Sequence, residues 1–283
     1  MDVEQQDFQL SYDGENRSWT VRWKWSGNSE PRKLNNTIAE YPVSEGVREA
    51  YEAEVERWIE NGWLRPYDED RYGPARGLVP LLAVVQLNKG KVRPVMDFRE
   101  LNSFIDTYTA DADVCSSKLR EWRRMGGNAS VIDLSTAYMQ IHVHESQWPF
   151  QTVIFRGKRF CLTRLGFGLN VAPLVMKSVL SAVLAQDENV RRATSPYIDD
   201  MLVDENILPV EKVVAHLASF GLVCKPAERL VNGARVLGLD VRRGRDKLVW
   251  KRANEIPSVP EVVTRRSVFS FCGKMLGHLP VCG

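Results

Sequence analysis

Two adjacent carboxylates, Asp199 and Asp200, sit in an otherwise apolar stretch, Tyr197-Ile198-Asp199-Asp200-Met201-Leu202-Val203. Aromatic and β-branched residues on both sides predict two short strands with the acids at their junction. Neighbouring like charges repel, and burial strips their hydration, unless a cation lies between them. The pair therefore reads as a divalent-metal site, and the fold has to present it to a cation.

A third carboxylate belongs with the first two. Asp133 closes the apolar strand Ser130-Val131-Ile132 and precedes Leu134-Ser135-Thr136-Ala137-Tyr138. If that strand lies beside the Asp199-Asp200 hairpin, three carboxylates meet at one sheet edge. Magnesium takes oxygen ligands and keeps waters and substrate phosphates in its shell. Two such ions about 4 Å apart suit in-line phosphoryl or nucleotidyl transfer. A lone Asp is most often a solvated turn residue; three at the ends of apolar strands call for another explanation.

Composition narrows the class. The 283 residues are enough for one large domain or two small ones. The longest apolar runs, such as Leu78-Val79-Pro80-Leu81-Leu82-Ala83-Val84-Val85, are too short to span a bilayer. The acidic, polar N-terminus is unlike a signal peptide. Cys115, Cys161, Cys224, Cys272 and Cys282 lack CxxC spacing, which favours free thiols in a reducing compartment. Residues 1–70 carry 16 acids and 8 bases, so in a chain of net charge +2 the remaining 213 residues are net +10. A basic body is compatible with a nucleic-acid partner.

Residues 1–39 read as an N-terminal extension or linker, with Trp19-Thr20-Val21-Arg22-Trp23-Lys24-Trp25 as a strand or hairpin arm. Ser44 starts a helix in which Val47, Tyr51, Val55, Trp58 and Ile59 recur at helical spacing, and Asn61-Gly62 ends it. Strands are expected over 78–87 and 91–97 around Asn88-Lys89-Gly90, and over 129–134 and 139–144. Helices follow from Pro173 and from Pro209 to Phe220. A continuous strand from Val236 to Val241 is expected to pair with Lys247-Leu248-Val249-Trp250, before a last helix near Thr264. Hairpins interleaved with helices predict an α+β fold with a largely antiparallel sheet, not a doubly wound parallel one.

Several motifs in one order resemble the reverse transcriptases of retroviruses and LTR retrotransposons, over about residues 40–275. Lys91-Val92-Arg93-Pro94-Val95-Met96-Asp97-Phe98-Arg99-Glu100-Leu101-Asn102 looks like that family's fingers motif. Val131-Ile132-Asp133-Leu134-Ser135-Thr136-Ala137-Tyr138 looks like its first catalytic motif. Leu165-Gly166-Phe167-Gly168-Leu169-Asn170-Val171-Ala172-Pro173 looks like the loop and helix beneath the incoming nucleotide. Tyr197-Ile198-Asp199-Asp200 is similar to the Tyr-x-Asp-Asp box, and Val236-Leu237-Gly238-Leu239 to the primer grip. Phe167, where retroviral enzymes usually have Gln, is similar to LTR retrotransposons of Gypsy-like or BEL/Pao-like type, and Thr264-Arg265-Arg266-Ser267-Val268-Phe269 resembles the start of the thumb in the BEL/Pao-like elements.

The resemblance implies a right-hand polymerase: fingers at 40–106 and 141–171, palm at 107–140 and 172–246. The end of the primer-grip hairpin and a truncated thumb would occupy 247–283. Asp133, Asp199 and Asp200 would be catalytic, holding two Mg2+ ions (or Mn2+) together with Leu134. Arg93, Leu134, Tyr138 and Phe167 would contact the incoming nucleotide: Arg93 by clamping the triphosphate, Tyr138 by stacking under a deoxyribose. Tyr197, Leu237 and Gly238 would meet primer and template. The implied partners are an RNA or DNA template with primer, deoxynucleoside triphosphates, and a Pol polyprotein carrying ribonuclease H, integrase and protease. The implied location is a cytoplasmic retroelement particle, away from membranes.

The chain departs from the family pattern at three places. Gly166 stands where Pro is common. Gln86 fills the register of a second phosphate-binding base, for which Lys89 and Lys91 are the nearest basic residues. Lys225 and Arg229 both lie near the place of a pyrophosphate-protonating lysine, and neither matches it well. Residues 229–252 hold eight bases against Asp240 and Asp246, with Trp250 among them, which suits contact with a nucleic-acid backbone. His142 and His144 have no further His or Cys at ligand spacing, so no shared metal is expected there. Two other functions compete: a truncated remnant that only binds nucleic acid, and an RNA-dependent RNA polymerase, against which Tyr138 argues.

Overall fold

The computed structural model describes residues 1–86, 90–107, 114–245, 248–252, 258–259 and 261–276. The chain divides into two compact units. Unit 1 is residues 1–109, 136–180 and 220–222; unit 2 is residues 110–135, 181–219 and 223–283. Residues 136–140 and 172–180, expected with the palm, thus group with unit 1.

Unit 1 opens with β1 (Asp2–Glu4), β2 (Phe8–Asp13) and β3 (Ser18–Trp23). Alternation along β3 turns Trp19, Val21 and Trp23 inward, each at most 1% exposed. β3 then pairs in parallel with β8 (Ile141–Val143), Trp19 opposite Ile141. Gln147 clasps Trp23 from both sides, accepting from its N–H at 3.2 Å and donating to its carbonyl at 2.7 Å. Three buried side chains and a shared ladder thus build the expected strand arm into unit 1.

α1 (Glu45–Glu60) buries Tyr51, Val55 and Trp58 on one face. Ser44 occupies the N-cap position without a side-chain cap bond, and Gly62 turns the chain at φ +67°. β4 (Leu64–Pro66) is followed by the short helix α2 (Glu69–Tyr72). A two-stranded hairpin follows, β5 (Leu81–Gln86) with β6 (Lys91–Met96), then the turn-long α3 (Arg99–Asn102). The predicted turn residues Asn88 and Lys89 lie outside the described residues. β4 forms a second sheet with β9 (Thr152–Phe155) and β10 (Lys158–Leu162), in the order β4-β10-β9. α5 (Ala172–Leu184) carries the chain from unit 1 into unit 2.

Unit 2 is built on an antiparallel sheet of order β11-β12-β7-β13. Its strands are β7 (Ala129–Asp133), β11 (Thr194–Tyr197), β12 (Asp200–Asp204) and β13 (Glu228–Arg229). α4 (Val114–Arg124), α6 (Glu188–Ala193) and α7 (Val210–Ser219) accompany it. A second sheet joins β14 (Ala234–Val236), β15 (Leu239–Arg243) and β16 (Leu248–Arg252), and α8 (Arg265–Leu276) follows. One core serves both sheets: Trp122, Ala129, Val131, Leu202, Leu230, Val236 and Val241 pack together. The expected continuous strand from Val236 to Val241 is instead a hairpin. Leu237 and Gly238 both have positive φ, +46° and +81°, the signature of a two-residue turn whose twist suits paired strands. The α+β, mainly antiparallel architecture matches expectation. No helix among the described residues is long and apolar enough to cross a membrane.

Candidate active site

β7 and β12 run antiparallel, with Asp133 directly opposite Asp200. Residues opposite one another in such a pair project to the same face. Tyr197 pairs with Asp200 across the β11–β12 hairpin, so Ile198 and Asp199 form its two-residue turn. Ile198 sits at φ +56°, a conformation that β-branched residues rarely adopt. Leu134 N–H donates to the Asp199 carbonyl at 3.1 Å and ties this turn to the end of β7. Asp133, Leu134, Asp199 and Asp200 thus converge at one end of one sheet.

The electrostatics there are strained. Burial raises the Asp199 carboxyl above its ordinary value, and the charge of Asp133 adds to the effect. Asp200 is pushed up to about 6, first by burial and then by Asp199 and Asp133. Lys225 opposes both shifts, and its Nζ donates to Asp133 Oδ2. Three carboxylates, two of them half-buried, form a hard oxygen donor set that suits Mg2+. Among the described residues no three His, Cys, Asp or Glu side chains are gathered closely enough to hold a metal ion, so ligation would require the carboxylates to turn together.

A buried joint backs the acidic hairpin. Ser195, 2% exposed on β11, accepts from Trp122 Nε1 at 2.8 Å and donates to Glu121 Oε1 at 2.6 Å. Lys118 Nζ donates to the same hydroxyl at 3.1 Å. The network pins α4 to the strand that leads into Tyr197. Tyr197 itself, and Leu237 at the tip of the β14–β15 hairpin, pack against the unit 2 core. Gly238 beside it faces open space.

The remaining expected site residues belong to unit 1. Arg93 is exposed on β6, opposite Val84. Tyr138, on a 3-10 turn (Ala137–Gln140), meets Phe167 with ring centroids 5.6 Å apart. Phe167 is 65% exposed. Its loop is held by the fingers motif. Asn102 donates to the Gly168 carbonyl at 2.9 Å and accepts from Asn170 N–H at 3.0 Å. Asn170 Nδ2 in turn donates to the Ile105 carbonyl at 2.9 Å.

The fold has counterparts among solved structures. Two structures of a foamy viral protease-reverse transcriptase superpose on 88% of this chain, each with a TM-score of 0.67. One holds double-stranded DNA, at 20% identity, and the other an RNA/DNA hybrid, at 17%. The chain has a reverse-transcriptase fold. It spans 43% and 33% of those two chains. Several of its sequence relatives are Pol polyproteins. A retrovirus-related Pol polyprotein from the Drosophila melanogaster transposon opus is 28% identical over 169 residues, 58% of this chain and 16% of that protein. The Gag-Pol polyprotein of woolly monkey sarcoma virus is 24% identical over 251 residues, 83% of this chain and 14% of that protein. A family profile described as a domain of unknown function, DUF7047, matches residues 264–283.

Within the reverse-transcriptase fold, some expected roles look different. Of the eight bases in 229–252, Arg229 is spoken for by Glu205 and Glu211, at 3.3 and 3.0 Å. Trp250 is half-buried and packs against the unit 2 core. His142 contacts Arg164 at 2.9 Å, and burial, then Arg164 and Arg65, bring it down to about 4; His144 contacts Ser146. Cys161, Cys224 and Cys272 are free thiols, while Cys115 and Cys282 have side chains outside the described residues. Sequence reasoning missed the Lys225–Asp133 pair, the Ser195 joint and the Asn102–Asn170 clasp. Asn102 and Asn170 each lie inside a recognised motif and Lys225 lies near a motif position, but nothing in the sequence pairs them with their partners.

Proposed function

We propose that this chain is the fingers–palm portion of an RNA-directed DNA polymerase. It would add deoxynucleotides to a primer 3′-hydroxyl as part of a retroelement Pol polyprotein. The observation that carries this reading is the register of Asp133 against Asp200, with Asp199 in the adjoining turn. Asp133 and Asp199 would hold two Mg2+ ions, with Asp200 assisting and Leu134 offering its backbone carbonyl. When bound there, the ions supply Lewis acidity at the primer hydroxyl and at the departing pyrophosphate.

The chain's own groups do the positioning. Arg93 presents a guanidinium fork that matches phosphate geometry. The Tyr138 ring, braced by Phe167, would lie under the sugar and leave no room for a ribose 2′-hydroxyl. The Leu237-Gly238 turn would let primer backbone come close, because Gly has no side chain in the way. Template–primer duplex is the partner expected, in line with the nucleic acids held by the two foamy viral structures.

Primer extension on an RNA template, with Mg2+ and deoxynucleotides, tests the reading. Extension by the wild type and its loss in Asp199→Asn are expected; equal extension by both would sink it. The Lys225 ion pair on Asp133 favours one alternative, a protein that binds nucleic acid without polymerising. A steep salt dependence of binding with no extension would select that alternative.

A further inference from the structure

We propose that Lys225 is a built-in counter-cation for Asp133, one that competes with a divalent ion for the same carboxylate. The proposal rests on the reading of Asp133, Asp199 and Asp200 as a metal site.

The support is positional. The segment Val223-Cys224-Lys225 is laid antiparallel on the end of β7, with Leu134 bridging to Cys224. Ser135 N–H donates to the Val223 carbonyl at 2.9 Å, and Lys225 N–H donates to the Asp133 carbonyl at 2.8 Å. Pro226 follows Lys225, and a residue before proline is held to extended backbone. Lys225 therefore reaches Asp133 from an anchored main chain, and its Nζ donates to Asp133 Oδ2. This is no chance meeting of two surface side chains. The nearest other base on this segment, Arg229, is engaged by Glu205 and Glu211 and does not substitute for it.

The pair is also built to yield. The Lys225 side chain is 53% exposed and that of Asp133 34%, so solvent screens their attraction. A divalent ion drawing on three carboxylates outcompetes one screened ammonium. Ligation by Asp133 is then coupled to release of Lys225, and the lysine sets how much metal is needed.

Mn2+ binding, followed through the electron paramagnetic resonance signal of the free ion at fixed pH and ionic strength, provides the test. The proteins are wild type, K225M, K225Q, K225R and D199N, each checked for folding by circular dichroism. Two neutral replacements are used so that a folding defect in one leaves the comparison intact. K225M and K225Q are expected to bind Mn2+ about three- to tenfold more tightly than wild type. K225R, which keeps the charge, should stay near wild type, and D199N should bind most weakly. Neutral variants that bind no more tightly than wild type, while D199N is weakened, overturn the role of Lys225 alone. Identical binding by wild type and D199N overturns the metal-site reading and this proposal with it.

Discussion

A Cβ built on Gly166 would lie 2.3 Å from the ring of Phe98. Phe98 is 2% exposed and belongs to the same segment as Asn102, which clasps the loop carrying Phe167. The glycine that departs from the family pattern thus has a local cause: the aromatic ring fills the space a side chain would need. The two motifs are fitted to each other at this point.

Gly166→Ala should accordingly destabilise the protein by about 1–3 kcal/mol, the usual cost of overpacking. The backbone here is not in the left-handed region, so the cost is steric. Shortening the ring partner, in the double variant Gly166→Ala with Phe98→Leu, should recover part of the loss. Urea denaturation measures both. A single variant as stable as wild type would show that the close approach carries no constraint.

Asp200 gives a pH dependence with a definite sign. Its folded pKa is about 6, against about 3.9 in an unfolded chain. The folded state therefore holds the proton more tightly. This group favours folding most below pH about 4, and the benefit is lost as pH rises through about 6. Asp200→Asn removes the penalty at neutral pH. In EDTA at pH 8 it should be more stable than wild type by about 1–2 kcal/mol, after discounting for partial exposure. At pH 4 the two should converge. Denaturation midpoints across this range provide the check, and a wild type that is the more stable at pH 8 would contradict it.

Tyr138→Ala removes both the ring beneath the proposed sugar position and its contact with Phe167. Discrimination between deoxy- and ribonucleotides, measured as the ratio of kcat/KM values, should fall at least about tenfold, a change of roughly 1.4 kcal/mol. Ribonucleotide incorporation should rise while folding, monitored by circular dichroism, is retained. Unchanged sugar selectivity would remove Tyr138 from the nucleotide site.

Local pattern carried a large part of this molecule. The apolar runs around Asp133 and Asp199, the helical spacing of Tyr51, Val55 and Trp58, and the motif order were all legible, because strand alternation, helix period and like-charge repulsion act between near neighbours in sequence. Asp199 and Asp200 alone said only that a cation was needed. Their register against Asp133 depends on strands joined by a connection of more than sixty residues, which tertiary pairing had to choose. The same holds for the N-terminal strands, whose tryptophans found their partner in β8. It holds for Leu237-Gly238, where hairpin closure overrode an apolar run. Lys225 is the sharpest case. Its sequence position suggests a role at a phosphate, yet the backbone ladder onto β7 sets its ammonium on the first carboxylate of the site. Charge patterns along a chain declare what must be neutralised; which cation does it is decided only when distant strands are brought side by side.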